Sequence, residues 1–288
     1  MAEAGKLKVV NTDHDFSGFD YLARLHAEAA SVETETISLE MGNVNWFSAI
    51  MAAPLKVIAD HWVATGKRVT VGSDPLPRTY ETLCRNHFLC YYGRDPVQDG
   101  YSTSIPVTLL PDRQDLKGAD FLMEKVARSP YFPSRMSPRF KRHLLTSFGE
   151  AFSNVRQHAE TSNVVACGQY YVAKQRLAVI VADGGVTIPH KVLGHVPSRL
   201  SPVDAVRWAM DRGNTTRSDG LGGDGLWRLR EFVSDNQGSL TVVSGRVYWR
   251  QEGSNEIGRF LSSPFPGTCV HWEIAVRDDR VYDTDAVS

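Results

Sequence analysis

Along the first third of the chain, short apolar runs of strand character alternate with longer ones of helical length. Glu35–Leu39 sets Ile37 and Leu39 on one face, the two-residue period of a strand. Trp46–Thr65 then reads as a helix, with Pro54 either kinking it or sitting in its first turn, and Gly66 suits its C-terminus. Arg68–Val71 reads as a second strand and Tyr80–His87 as a short helix, and this alternation favours an α/β unit. The polar stretch Asp95–Gly100 predicts a boundary. Beyond it Ile105–Leu110 reads as a strand, Gly118–Arg128 as a helix and Ser129–Pro138, with three prolines, as a loop.

The second half opens on a stronger helical pattern. Ser137 offers a capping hydroxyl and Pro138 fits the first helical position. Phe140, Leu144, Phe148, Ala151 and Val155 then fall within an arc of about 80°, a core-facing stripe. Val164–Tyr171 and Leu177–Val181 are expected to pair as strands, the second nearly all apolar and so buried. Ser201–Asp211 reads as a short helix, Gly213–Gly225 as a loop and Leu226–Val233 as a further helix. Ser239–Val243 and Val247–Gln251 predict a hairpin, and Gly267-Thr268 precedes a last strand, Cys269–Ala275.

Composition narrows the classes. The 288 residues carry 32 Lys plus Arg against 33 Asp plus Glu, a net charge of −1, which disfavours a general nucleic-acid binder. No run of about 18 apolar residues occurs, so no membrane span is expected. The start of the chain lacks the apolar stretch of a signal peptide, and the cytoplasm is the expected compartment. Cys84, Cys90, Cys167 and Cys269 match no metal or redox spacing. Arg277–Ser288 carries four aspartates and reads as a disordered acidic tail.

Candidate chemistry lies at three places. Glu150, Asn154 and His158 recur every four residues along one edge of the Pro138 helix, beside its buried stripe. A carboxylate there can orient water, and an amide oxygen is a hard ligand suited to Mg²⁺. Asp183, followed by Gly184 and Gly185, ends the apolar strand; it can accept from an amino group, and the glycines let a flat ring approach the backbone. Five of the 23 glycines fall between Gly213 and Gly225, immediately before a helix, an arrangement suited to anions. No Gly-Lys-Ser/Thr ends this loop, so it is not a Walker A loop, and it lacks GxGxxG spacing after a strand.

Taken together and in order, Pro138–Val276 resembles the GHKL ATPases, whose ATP-binding Bergerat fold occurs in gyrases and histidine kinases. The Glu150/Asn154/His158 helix, the Asp183-Gly184-Gly185-Val186-Thr187-Ile188 box, the glycine-rich Gly220-Leu-Gly-Gly-Asp-Gly225-Leu226 lid and the Gly267-Thr268 pair carry the resemblance. It implies an α/β chain: a two-layer sandwich over residues 101–276 with a mixed, mostly antiparallel sheet, preceded by a smaller α/β unit over 1–100, with the tail at 277–288.

The resemblance implies that ATP is held by Asn154, Asp183, Gly185, Ile188, Gly220, Gly222, Gly223, Gly225, Leu226 and Thr268, with His158 and Arg217 as further candidates. Asn154 would bind Mg²⁺, Glu150 would be the catalytic base and Thr268 would support Asp183. Thr187 departs from the family's second glycine and would narrow the adenine side. Within this chain no histidine-bearing helical hairpin precedes the ATPase half and no transducer domain follows it, which points to the anti-sigma-factor kinase branch. Residues Ile37–Ser48, the helix after them and Gly66–Val71 resemble a STAS domain, with Ser48 just before the family's phospho-acceptor position. That resemblance implies a protein partner through the N-terminal unit. The expected function is an Mg-ATP-binding regulatory protein, a serine kinase or slow ATPase, or else a non-catalytic module in which nucleotide gates a protein contact. The oligomeric state is left open, a dimer among the options.

Overall fold

The computed structural model describes residues 4–111, 163–196, 199–216 and 223–276, together with Asp120, Glu124, Pro130, Thr146, Gly149 and Thr161. The chain is α/β, with one small parallel sheet and one large antiparallel sheet. The small sheet joins β1 (Gly5–Lys8), β2 (Thr36–Glu40) and β3 (Arg68–Ser73) in that order, all parallel. Helices α1 (Phe16–Ala29) and α2 (Ala52–Ala64) make the two crossovers. Asp15 caps α1 by accepting from the Gly18 N–H at 2.9 Å. A 3₁₀ turn at Ala49–Met51 leads into α2, which places Pro54 in the first turn of the helix, where it removes no helical hydrogen bond. Gly66, at φ +88°, follows the C-terminus of α2 in the left-handed region. Helix α3 (Pro77–Arg85) starts three residues earlier than the sequence pattern indicates.

The large sheet runs β4 (Ser104–Pro111), β5 (Asn163–Tyr171), β6 (Arg176–Asp183), β10 (Thr268–Ala275), β7 (Ser239–Ser244), β8 (Val247–Glu252) and β9 (Asn255–Phe260). Every pairing is antiparallel, so the parallel component of the fold is confined to the small sheet. The expected hairpins β5–β6 and β7–β8 are both present. Strand β9 was not anticipated; it is an edge strand with most of its side chains in water, so it has little apolar alternation to read.

Both faces of the large sheet are covered. Val179, Val181, Val242, Val270 and Trp272 point to one side, where α5 (Pro202–Met210) and α6 (Gly225–Asp235) pack with Val206, Met210, Leu229 and Phe232. Val165, Ala178, Ile180, Val243 and Cys269 point to the other, where α1 and α2 bring Phe19, Leu22, Val57 and Ile58. Helix α2 lies between the two sheets, which is why its first two turns are almost wholly buried. Lys56, buried in that helix, is paired with Asp60 and lies over the Tyr91 ring. Among the described residues, no helix is long and apolar enough to cross a membrane. The remaining helix, α4 (Ile188–His195), follows β6.

Candidate nucleotide site at the ends of three strands

From Leu177 strand β6 is apolar on both faces until its last residue, Asp183, which is only 1% exposed. Its side chain follows Leu177, Val179 and Val181 onto the face covered by α5 and α6. The register sets Thr268 of β10 directly between Asp183 of β6 and Ser244 of β7. Asp183, Thr268 and Ser244 therefore form a polar row across three adjacent strand ends, on one face, above an apolar core.

Hydrogen bonds tie this row together. The Gly185 N–H donates to the Asp183 carboxylate at 2.8 Å, an Asx-type turn, and the Thr268 N–H donates to it from β10. The Thr268 and Ser244 hydroxyls lie 2.8 Å apart, and Ser244 Oγ accepts from the Ile188 N–H at 2.8 Å. Burial pushes the Asp183 carboxyl up to about 7, and the two backbone donors only partly offset it. Thr268 thus supports Asp183 through its backbone, while its hydroxyl turns to Ser244. Ser244 was not singled out in the sequence; its signal was a hydroxyl residue ending a strand just before the Gly245 turn.

Two other positions gain a physical reason. Gly267 has φ +136°, and a Cβ there would lie 2.0 Å from the Asp183 carbonyl oxygen, so the glycine of the Gly-Thr pair is required by close packing of backbones. Thr187 caps α4, its hydroxyl accepting a long bond of 3.4 Å from the His190 N–H. The side chain of Thr187 also lies against the Gly245 turn.

The neck of the glycine-rich loop is closed by backbone. The Gly213 N–H donates to the Gly223 carbonyl at 3.2 Å, and both glycines have positive φ. A Cβ on Gly223 would meet the Asn214 carbonyl oxygen at 2.7 Å. Gly225 opens α6, and Leu226 is buried in the core on the same face of the sheet as Asp183; Ile188 packs partly against that core. Glu150, Asn154, His158, Arg217, Gly220 and Gly222 lie outside the described residues, as does the 277–288 tail; Thr146 and Gly149 of the expected box helix are helical.

Ser48 sits just before the turn that leads into α2 and is buried. Its Oγ is 2.8 Å from His14 Nδ1 and 3.1 Å from the Tyr171 hydroxyl, so it faces the large sheet. Comparison with protein-family models and with curated proteins returns no match.

Proposed function

We propose that this chain binds ATP with Mg²⁺ at the ends of β6, β10 and β7, as a regulatory nucleotide-binding protein of the GHKL kind. The observation that carries this reading is the buried Asp183 carboxyl, held among the described residues by the Gly185 and Thr268 N–H groups and lying beside a glycine forced by close packing. Such a group has a remaining acceptor position and a low-dielectric setting, which together favour an exocyclic amino group of a purine. The Thr268–Ser244 hydroxyl pair offers a second polar contact beside it. By the resemblance, Asn154 would hold Mg²⁺ and Glu150 would polarise water or assist phosphoryl transfer to a serine. Titration calorimetry with Mg-ATP tests the site. Asp183→Asn should abolish binding, and unchanged affinity would sink the assignment.

A second reading, nucleotide binding without turnover, is favoured by one contact. A Cβ on Gly184 would lie 3.5 Å from Val57 of α2, so the turn after Asp183 abuts the helix shared with the N-terminal unit. Nucleotide at Asp183 could therefore bias that unit and its protein partner directly. Multi-turnover phosphate release with Mg²⁺ separates the readings: turnover lost in Glu150→Ala supports the ATPase, and binding without turnover supports the gate.

A further inference from the structure

On the face of β10 opposite the polar row, His271 and Glu273 point toward the N-terminal unit, one residue apart and on the same side of the strand. His14, from the segment between β1 and α1, meets them there. One ligand atom from each of the three residues lies within 4.8 Å of the other two. His14 Nε2 is 2.7 Å from Glu273 Oε1, and His271 Nε2 is 3.9 Å from the same oxygen. His271 is 0% exposed, and neither of its ring nitrogens has a hydrogen-bond partner among the described residues. An unsatisfied buried donor or acceptor is costly, so a fully buried imidazole pointing at a carboxylate without bonding it asks for a third participant.

The surroundings of His14 fix its ring. Its Nδ1 lies 2.8 Å from Ser48 Oγ and 2.9 Å from Asp13 Oδ1, partners outside the cluster that turn Nε2 toward Glu273. Its Nε2 lies 2.7 Å from the Glu273 carboxylate, a direct hydrogen bond that an ion would replace as the two atoms part to about 3.4 Å. The second carboxylate oxygen is turned toward Arg176, 4.0 Å away, so Oε1 is the one presented to both imidazoles. Metal-ligating histidines usually donate their other N–H to a carboxylate, carbonyl or water, the arrangement found around Nδ1.

We infer that His14, His271 and Glu273 form a binding site for a divalent transition ion of the Zn²⁺ class, which clamps the N-terminal unit onto the large sheet. Two imidazoles and one carboxylate match the donor set of three-ligand zinc sites, with a water as fourth ligand. Such ligands sit about 3.4 Å apart around a tetrahedral ion, against 2.7 and 3.9 Å for the two imidazole–carboxylate pairs and at most 4.8 Å between the imidazoles. The His14 and Glu273 side chains, 11% and 14% exposed, provide the entry path, and His271 provides the dry wall. Ser48 acts as a positioning residue through His14.

The test uses the full chain, stripped of metal with a chelator and titrated with Co²⁺ while visible absorption is followed. One equivalent should bind with the intensity of a four- or five-coordinate ion. His14→Ala and Glu273→Gln should each lower affinity by at least about 100-fold, and Ser48→Ala by about 10–100-fold with the stoichiometry retained. Replacing the exposed His195 by Ala should change nothing. Binding that survives His14→Ala and Glu273→Gln overturns the inference, as does wild-type protein that takes up no ion. Should a variant fail to fold, X-ray absorption of the Zn²⁺-loaded wild type decides. Two imidazole shells support the site, and oxygen-only coordination refutes it.

Discussion

Replacing Asp183 by Asn should make the protein more stable while removing its nucleotide site. In the unfolded chain the carboxyl titrates near 3.8, and in the fold burial raises it to about 7. An acid whose folded value is raised loses stability as pH climbs from the unfolded value to the folded one, because the unfolded chain ionises first. At about 1.4 kcal/mol per unit, the ionisable group costs the fold about 4 kcal/mol at pH 8 and about 2 kcal/mol at pH 5. An amide of the same shape keeps an oxygen to accept from the Gly185 and Thr268 N–H groups and never ionises. Asp183→Asn should therefore gain stability at both pH values, with the gain about 2–3 kcal/mol larger at pH 8. Urea unfolding followed by tryptophan fluorescence suits the measurement, since Trp249 and Trp272 are fully buried. A variant no more stable than wild type at pH 8, or a gap that is flat between pH 5 and pH 8, would refute the reasoning. The gain in stability also ensures that loss of ATP binding in this variant is not loss of the fold.

Three further outcomes follow from the same geometry. If an adenine amino group donates to ionised Asp183, Mg-ATP affinity should fall by about tenfold between pH 8 and pH 6, because the carboxyl takes up a proton near 7; calorimetry at fixed ionic strength shows whether it does. Gly267→Ala should destabilise the chain by at least about 2–3 kcal/mol, since a Cβ there enters the Asp183 carbonyl at a backbone angle that favours glycine. A melting temperature unchanged within a degree would count against that packing. Ile180→Ala, in the middle of β6 on the face toward α2, should cost about 2–5 kcal/mol by denaturant unfolding.

The parts of this molecule that were legible in its sequence are those written locally. The apolar run of β6, the β7–β8 hairpin and the paired Gly267-Thr268 all announce themselves within a few residues, because periodicity and turn chemistry act at that range. Asp183 stood out because it ends an apolar strand and two glycines follow it. Strand β1 is only four residues long, and α1 begins at a phenylalanine behind a cluster of polar residues, so neither gave a strong pattern. Beyond the Thr268–Asp183 pair that the resemblance implied, long-range partners were not legible. His14 and Glu273 are 259 residues apart in sequence, and nothing in either neighbourhood indicates that they meet. Ser48, noticed for its place before a helix, acquires its surroundings only when the N-terminal unit docks on the sheet. The parity that separates Asp183 and Thr268 from His271 and Glu273 on opposite faces was implicit in the strand spacing, but needed the register to be fixed.

Helix α2 has a consequence for how this chain can be divided or recombined. A helix with one wet side can be uncovered by moving a neighbour, but α2 is sheathed by a sheet on each side along its first two turns. Its alanines, Ala52, Ala53 and Ala59, are thin spacers that let two sheets approach a single helix. The polar stretch at Asp95–Gly100 marks where the chain passes from one sheet to the other, yet the apolar interior runs across it without interruption. Cutting there would lay bare Ile180, Val243 and their neighbours as a wide greasy surface. The two halves are thus inseparable as building blocks, and transplanting the second half alone into another chain would require a substitute for α2.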